Sequence, residues 1–313
     1  MSKTLRTVAV AAVALVAVAA TSVAAAKVGA LSGSITADGS STVGPYTTAA
    51  AELFQRRNTD VRITVGISGT GGGFERFCRN ETDLSNASRP MRNSEATRCA
   101  SAGVKWVAFT VANDALTVVV NRNATWVSCI TTAELKKIWE PGSKVSNWRD
   151  VRPSFPDVPL KLFGPGTDSG TFEYFTEAIN GRARASRSDY QASEDDNVLV
   201  QGVSGERGGL GYFGYSYFDE NRDKLKALSI VNPKTGRCVA PGIKSVHSNS
   251  YKPLSRPLFI YAKQSSFAGP EVRSFIGYIF NNEKAIAQRA DFIWLTPAQL
   301  RKAKNQFQRA LKQ

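Results

Sequence analysis

Histidine, methionine and cysteine are scarce in this 313-residue chain, which has one His, two Met and four Cys. The single His, His247, leaves a serine or cysteine nucleophile without the base of a triad, so a hydrolase of that kind is disfavoured. No two cysteines stand at Cys-x-x-Cys spacing and the His is isolated, which argues against a zinc site. There is no Gly-x-x-x-x-Gly-Lys-Ser/Thr run, so nucleotide phosphates have no P-loop. Past the first 26 residues no stretch is apolar enough to span a bilayer. Acidic residues are outnumbered: 26 Asp and Glu stand against 40 Lys and Arg, a formal charge of +14.

What the N-terminus does hold is a short basic region at Lys3 and Arg6, an Ala/Val-rich stretch from Val8 to Ala20, and small residues through Ala26. That is the pattern of a secretory signal peptide over residues 1–26. Thr21-Ser22 interrupts the apolar run and leaves it short for a membrane anchor. No Cys lies near the cleavage site, so the expectation is an exported protein, periplasmic or extracellular, that is not lipid-anchored. Loss of Lys3 and Arg6 leaves a charge of +12. Four Cys in an oxidising compartment pair in three ways. Cys78–Cys99 closes a short loop and is preferred, which leaves Cys129–Cys238 as a long-range staple.

The basic residues are scattered. The densest stretch, Arg301–Lys312, reads as a helix with a solvated face, opened by a capping box at Thr296 and Gln299, with Leu300, Ala303, Phe307 and Leu311 at helical spacing. Without aromatic-interleaved basic motifs, nucleic acid is not an expected partner; a positive field that draws in small anions fits better.

Strands and helices alternate along the chain. Strand patterns lie at Ser34–Ala37, Val61–Gly66, Leu84–Ala87, Leu160–Phe163, Gly208–Phe213 and Pro257–Ala262. Two more, Lys105–Ala112 and Leu116–Asn121, flank Asn113-Asp114-Ala115. Helices are expected from Pro45 to Arg57, from Phe74 to Asn80, from the capping box at Thr131 and Glu134 to Trp139, after Gly170 through Asn180, and from Asp196 to Val203. Two others, near Pro270–Asn281 and Ala298–Lys312, end the chain. This is an α/β chain of two lobes. With no floppy linker, it is expected to cross between them on strands.

Three loops carry the chemistry: Asp38-Gly-Ser-Ser-Thr-Val-Gly-Pro45, Ser68-Gly-Thr-Gly-Gly-Gly73 and Gly164-Pro-Gly-Thr-Asp-Ser-Gly-Thr171. Each follows a strand, opens a helix, and is rich in glycine and hydroxyls. A helix start presents unpaired N–H groups and partial positive charge, glycine lets the backbone approach, and Ser/Thr hydroxyls add donors. Three such loops converging would cage a small tetrahedral oxyanion. Glu194-Asp195-Asp196 reads as the acidic first turn of a helix, and the five tryptophans as packing residues.

Together with Asp83-Leu-Ser-Asn-Ala-Ser-Arg-Pro90 and Gly209-Leu-Gly-Tyr-Phe-Gly-Tyr215, these loops give five motifs in an order that resembles the PstS family, the phosphate-binding proteins of ABC-type phosphate importers, in its SphX-like branch. The resemblance implies a periplasmic-binding-protein-like fold. Each lobe would be a mixed sheet flanked by helices, joined by crossing strands, with lobe 1 from 27–112 plus 245–313 and lobe 2 from 113–244. It implies high-affinity phosphate capture without catalysis or cofactor by a monomer that delivers the anion to a permease with its ATPase.

Carried over by motif, the ligands fall on Ser41 and Thr42, on Thr70, and on Ser169, Gly170 and Thr171. Two positions depart from better-known members. Arg89 stands where those have an Asp, and Pro165 where they have an Arg. The guanidinium is therefore expected to have moved to Arg89, with Asp168 opposite either orienting it or accepting the phosphate proton. Phosphate at neutral pH keeps a proton and sulfate does not, so a carboxylate acceptor favours the first and repels the second. A secreted phosphatase and a basic surface-adhesion protein are the competing readings. The first would need a metal cluster or an activated nucleophile.

Overall fold

The computed structural model describes residues 31–167, 169–193 and 195–312. The expected signal peptide, Asp168 and Glu194 lie outside the described residues. Parallel strands β1 (Gly33–Gly39), β2 (Val61–Val65) and β3 (Leu84–Ala87) alternate with helices α1 (Gly44–Gln55), α2 (Gly69–Cys78) and α3 (Asn93–Ser101). β4 (Trp106–Asn121) follows, then β5 (Cys129–Ile130), α4 (Thr132–Trp139), α5 (Trp148–Val151), β6 (Lys161–Pro165), α6 (Gly170–Phe175), β7 (Gln191–Ser193) and β8 (Gly209–Gly214). The short strands β9 (Leu225–Ala227), β10 (Ser229–Val231) and β11 (Cys238–Val239) precede β12 (Ser255–Lys263), and helices at Pro270–Asn281, Glu283–Arg289 and Pro297–Ala310 close the chain.

Among the described residues the main sheet runs β2-β1-β3-β12-β4-β8-β6-β7, with β9 also paired to β4. It carries two separate hydrophobic cores. One gathers Ile35, Tyr46, Phe109, Ile260 and Phe275. The other gathers Val119, Trp139, Phe175, Tyr212 and Phe213. β4 serves both: sixteen residues of extended chain reach roughly 50 Å at ~3.3 Å per residue. β12 lies antiparallel against its first part and β8 against its last. The molecule is thus an α/β protein of two halves strung on shared strands. Val246, Tyr251 and Leu254 pack in the second core, so the chain returns to the first at β12 and not at the expected residue 245.

Two local expectations are corrected. Asn113-Asp114-Ala115 does not separate two strands but lies inside β4. Strand geometry survives there because the polar groups find partners at the crossover. Asn113 N donates to Ile293 O (2.8 Å), its Nδ2 donates to Trp294 O (3.1 Å), and Asp114 pairs with Arg256. Gly69–Gly73 is not a loop before a helix but the first turn and a half of α2. Glycine is required there by packing: a Cβ on Gly73 would lie 2.4 Å from Gly39 Cα. The helix presses directly on the end of β1.

Caps fall where the sequence places them. Thr131 Oγ1 accepts from Glu134 N (3.0 Å) and Glu134 Oε2 accepts from Thr131 N (2.8 Å), starting α4. Thr296 and Gln299 form the same box for the last helix. Cys78 is bonded to Cys99 and Cys129 to Cys238. The first pair sits in a small buried cluster with Phe74, Phe77 and Tyr261. The second ties β5 to β11 in a three-stranded sheet beside the second core.

Candidate functional site

Buried Asp38 is the penultimate residue of β1, and its carboxylate assembles the first two loops. It accepts from Gly39 N (2.6 Å) and Ser68 N (3.0 Å) and pairs with Arg76. The following turn places Thr42, buried, just ahead of α1. At the start of α2, Thr70 Oγ1 lies 3.1 Å from Ser88 Oγ and accepts from Ser88 N (3.3 Å). β3 leads through Ser88 to Arg89. From the other half, β6 leads to Ser169, whose Oγ caps α6 by accepting from Thr171 N (3.1 Å) and Phe172 N (3.5 Å). Gly170 then meets the first half: a Cβ there would lie 2.3 Å from Thr42 Oγ1 and 2.5 Å from Thr42 N.

These elements enclose a cleft of about 250 Å³. Thr42, Thr70, Gly71, Ser88, Arg89 and Arg92 line one side of it, and Gly170, Glu173, Glu177 and Ala183 the other. Arg256, from the start of β12, closes the back. Of the expected ligands, Thr42, Thr70, Arg89 and Gly170 come together here. Ser41 sits in the turn before α1 and does not line the cleft, nor do Ser169 and Thr171, which form the start of α6. Asp168 is outside the described residues.

Two guanidinium groups face the cleft in different states. Arg89 is held bidentately by Glu95, with Nη1 to Oε2 at 2.8 Å and Nη2 to Oε1 at 2.7 Å. Glu95 also accepts from Arg92 N (2.7 Å), closing the capping box of α3. Hydrogen bonding to Glu95 raises the Arg89 pKa. The partner's carboxyl sits below its usual range: burial works against the charge, and the Arg89 bonds with the Arg92 N–H outweigh it. Arg256 stacks on Tyr174 with Cζ 3.6 Å from the ring centroid, donates from Nε to Asp114 Oδ2 (3.3 Å), and donates from Nη2 to Thr42 Oγ1 (3.1 Å). Burial pushes the Asp114 carboxyl up, and Arg256 opposes that shift. Arg92 and Glu177 face each other across the cleft at 3.9 Å.

Sequence motifs did not point to Arg256, Asp114 or Glu95, and Ser88 lay within a motif without a ligand role. The signal that could have found the first two is a charged residue placed against the apolar pattern of each long strand. A wider groove of about 980 Å³ lies on the other side of Arg256, lined in part by Lys234, Arg237 and Lys252. It is far larger than a tetrahedral oxyanion needs, so the chemistry favours the smaller cleft. Among the described residues there is no cluster of His, Cys, Asp and Glu able to hold a metal, and no helix long and apolar enough to cross a membrane.

Two α/β halves on shared strands, closing over a small cleft of hydroxyls, helix starts and guanidinium groups, define a two-lobed solute-binding protein. A PBP superfamily domain matches residues 24–283. The chain is 49% identical to the protein SphX of Synechococcus elongatus over 83% of its own length and 77% of that protein's. It is 36% identical to the phosphate-binding protein PstS of Staphylococcus saprophyticus over 84% of this chain and 81% of the other. Among solved structures, a "possible phosphate binding protein" of Planctomyces limnophilus shares 47% identity with a TM-score of 0.85, covering 90% of this chain and 99% of that one. An ABC-type phosphate transport receptor of Vibrio cholerae, 21% identical, shares the fold with a TM-score of 0.65 over 84% of this chain and 100% of its own. The chain belongs to the PBP superfamily and, within it, to the family of SphX and PstS phosphate-binding proteins.

Proposed function

We propose that this protein captures inorganic phosphate outside the cytoplasmic membrane and delivers it to an ABC-type permease, acting as a monomeric binding protein and not as an enzyme. The observation that carries the reading is the cleft itself. Its volume of about 250 Å³ suits a small anion, and Thr42 together with one hydroxyl of the mutually bonded Thr70–Ser88 pair supplies donors to it. Gly170, at the start of α6, brings a backbone N–H to its edge. The family relatives bear phosphate-binding names, which supports the same ligand.

In this reading Arg89, neutralised by Glu95, shapes the wall and presents little net charge to the anion. Ser41, Ser169 and Thr171 act by building the turns that hold Thr42 and Gly170. Asp168 keeps the role of proton acceptor that lets hydrogen phosphate in and keeps sulfate out. The first lobe would comprise residues up to 112 together with β12 and the last helices, and the second the segment between. Closure of the halves would bury the anion. Export rests on the N-terminal signal-peptide pattern, and the permease and ATPase on the family.

Isothermal titration of the mature protein, stripped of bound anion, tests this. One phosphate site with no sulfate heat is expected. Silence with phosphate, or equal heats with both anions, would overturn the assignment.

A further inference from the structure

The charge-bearing ligand of the cleft is open to a second reading, which rests on phosphate being the anion. Arg89 spends both terminal nitrogens on one carboxylate, at 2.8 and 2.7 Å, so the pair presents little net charge to a ligand. Arg256 is held differently. Tyr174 fixes the plane of its guanidinium from the face, which uses none of its N–H groups. Asp114 takes Nε, and no described residue accepts from Nη1. Its side chain is 13% exposed, so its field is little screened by water. Thr42 Oγ1 accepts from Nη2, which leaves the Thr42 hydroxyl proton to donate into the cleft.

We infer that Arg256, and not Arg89, is the guanidinium that binds the phosphate, and that it couples the anion to closure of the two halves. Its position accounts for the coupling. Arg256 stands opposite Asp114 in the β12–β4 register, beside the strand that both cores share. It touches Thr42 of the first half and Tyr174 of the second. An anion that takes up Nη1 and the Thr42 hydroxyl is thereby tied to both halves and to the strands between them. This moves the positive charge from the segment after β3 to the start of β12, where a planar, face-stacked guanidinium is pre-organised.

The test is phosphate titration of the parent protein, of Arg256→Gln, of Arg256→Lys, and of the double variant Arg89→Gln/Glu95→Gln, each checked by circular dichroism and thermal unfolding. Loss of the charged Nη1 contact, with the Thr42 hydroxyl no longer held by Nη2, predicts a ~100-fold weaker Kd for Arg256→Gln. The lysine variant keeps the charge but not the fork or the stack, and at least ~10-fold weakening is expected. The double variant replaces a neutral pair by a neutral pair in the cleft wall and should weaken phosphate binding less than either Arg256 variant does. If Arg256→Gln fails to fold, Arg256→Lys decides by the same criterion. Parent-like affinity in the Arg256 variants, with loss confined to the double variant, would overturn the inference and return the role to Arg89. A parent protein silent with phosphate would instead overturn the functional reading beneath it.

Discussion

The first and second halves of the molecule use the same device, a strand running into a hydroxyl-rich loop and then a helix, to different ends. In the first half the loop carboxylate, Asp38, is consumed in construction. It holds Gly39 N, Ser68 N and Arg76, and the hydroxyls that line the cleft are those of Thr42 and Thr70. In the second half the hydroxyl is consumed instead. Ser169 caps α6, and what reaches the cleft is Gly170, a residue with no side chain. A repeated sequence pattern therefore does not imply a repeated role. Which polar group is left over for a ligand depends on which one the local backbone needs.

The sharpest way to break that contrast is Gly170→Ala. The added Cβ would meet Thr42 Oγ1 at 2.3 Å and Thr42 N at 2.5 Å, so the halves would be held apart. If the closed state falls to about one molecule in a hundred, apparent phosphate affinity falls by the same ~100-fold, while the unfolding midpoint stays within a few degrees. Titration and a thermal melt of one sample measure both. Unchanged affinity would mean that the Thr42–Gly170 contact is not part of the bound form.

The disulfides sharpen the comparison next. Cys129–Cys238 joins residues 109 apart and spans most of the second half, whereas Cys78–Cys99 joins residues 21 apart within the first. Loop-closure entropy assigns about 5 kcal/mol to the long link and about 3 kcal/mol to the short one. Urea unfolding of the two double-alanine variants should rank them in that order. Some of the gap is narrowed by the volume lost at fully buried Cys78 and Cys99. The reverse order would show that packing around the short link, and not chain entropy, dominates.

Smallest is Ser169→Ala. Removing an N-cap costs about 1 kcal/mol of stability, and phosphate affinity should change by less than about threefold if Ser169 acts through α6 alone. Urea unfolding and titration separate the two. A tenfold loss of affinity with little loss of stability would make its hydroxyl a direct ligand and bring the two loops back to one role.

Much of this was legible in the residues. Periodicity and capping boxes located the helices starting at Thr132 and Pro297, short strand patterns located β3 and β12, and glycine-hydroxyl loops marked three of the places where the chain approaches the cleft. These are local signals, set by neighbours within four or five positions. The same logic failed at Asn113-Asp114-Ala115. A polar triplet in an apolar run signals a break locally, yet here its groups are satisfied by Ile293, Trp294 and Arg256 from distant parts of the chain.

Composition and local pattern thus settled the class of the chain: α/β, rich in anion-seeking loops and poor in the residues of metal or nucleophilic chemistry. The choice among its polar groups belonged to the tertiary structure. Glu95 neutralises Arg89 from six residues away, and Arg256 enters the cleft 214 residues after the Thr42 it touches. Whether a charge is spent or available is a property of what surrounds it in a low-dielectric cleft, and that environment exists only once the strands have crossed.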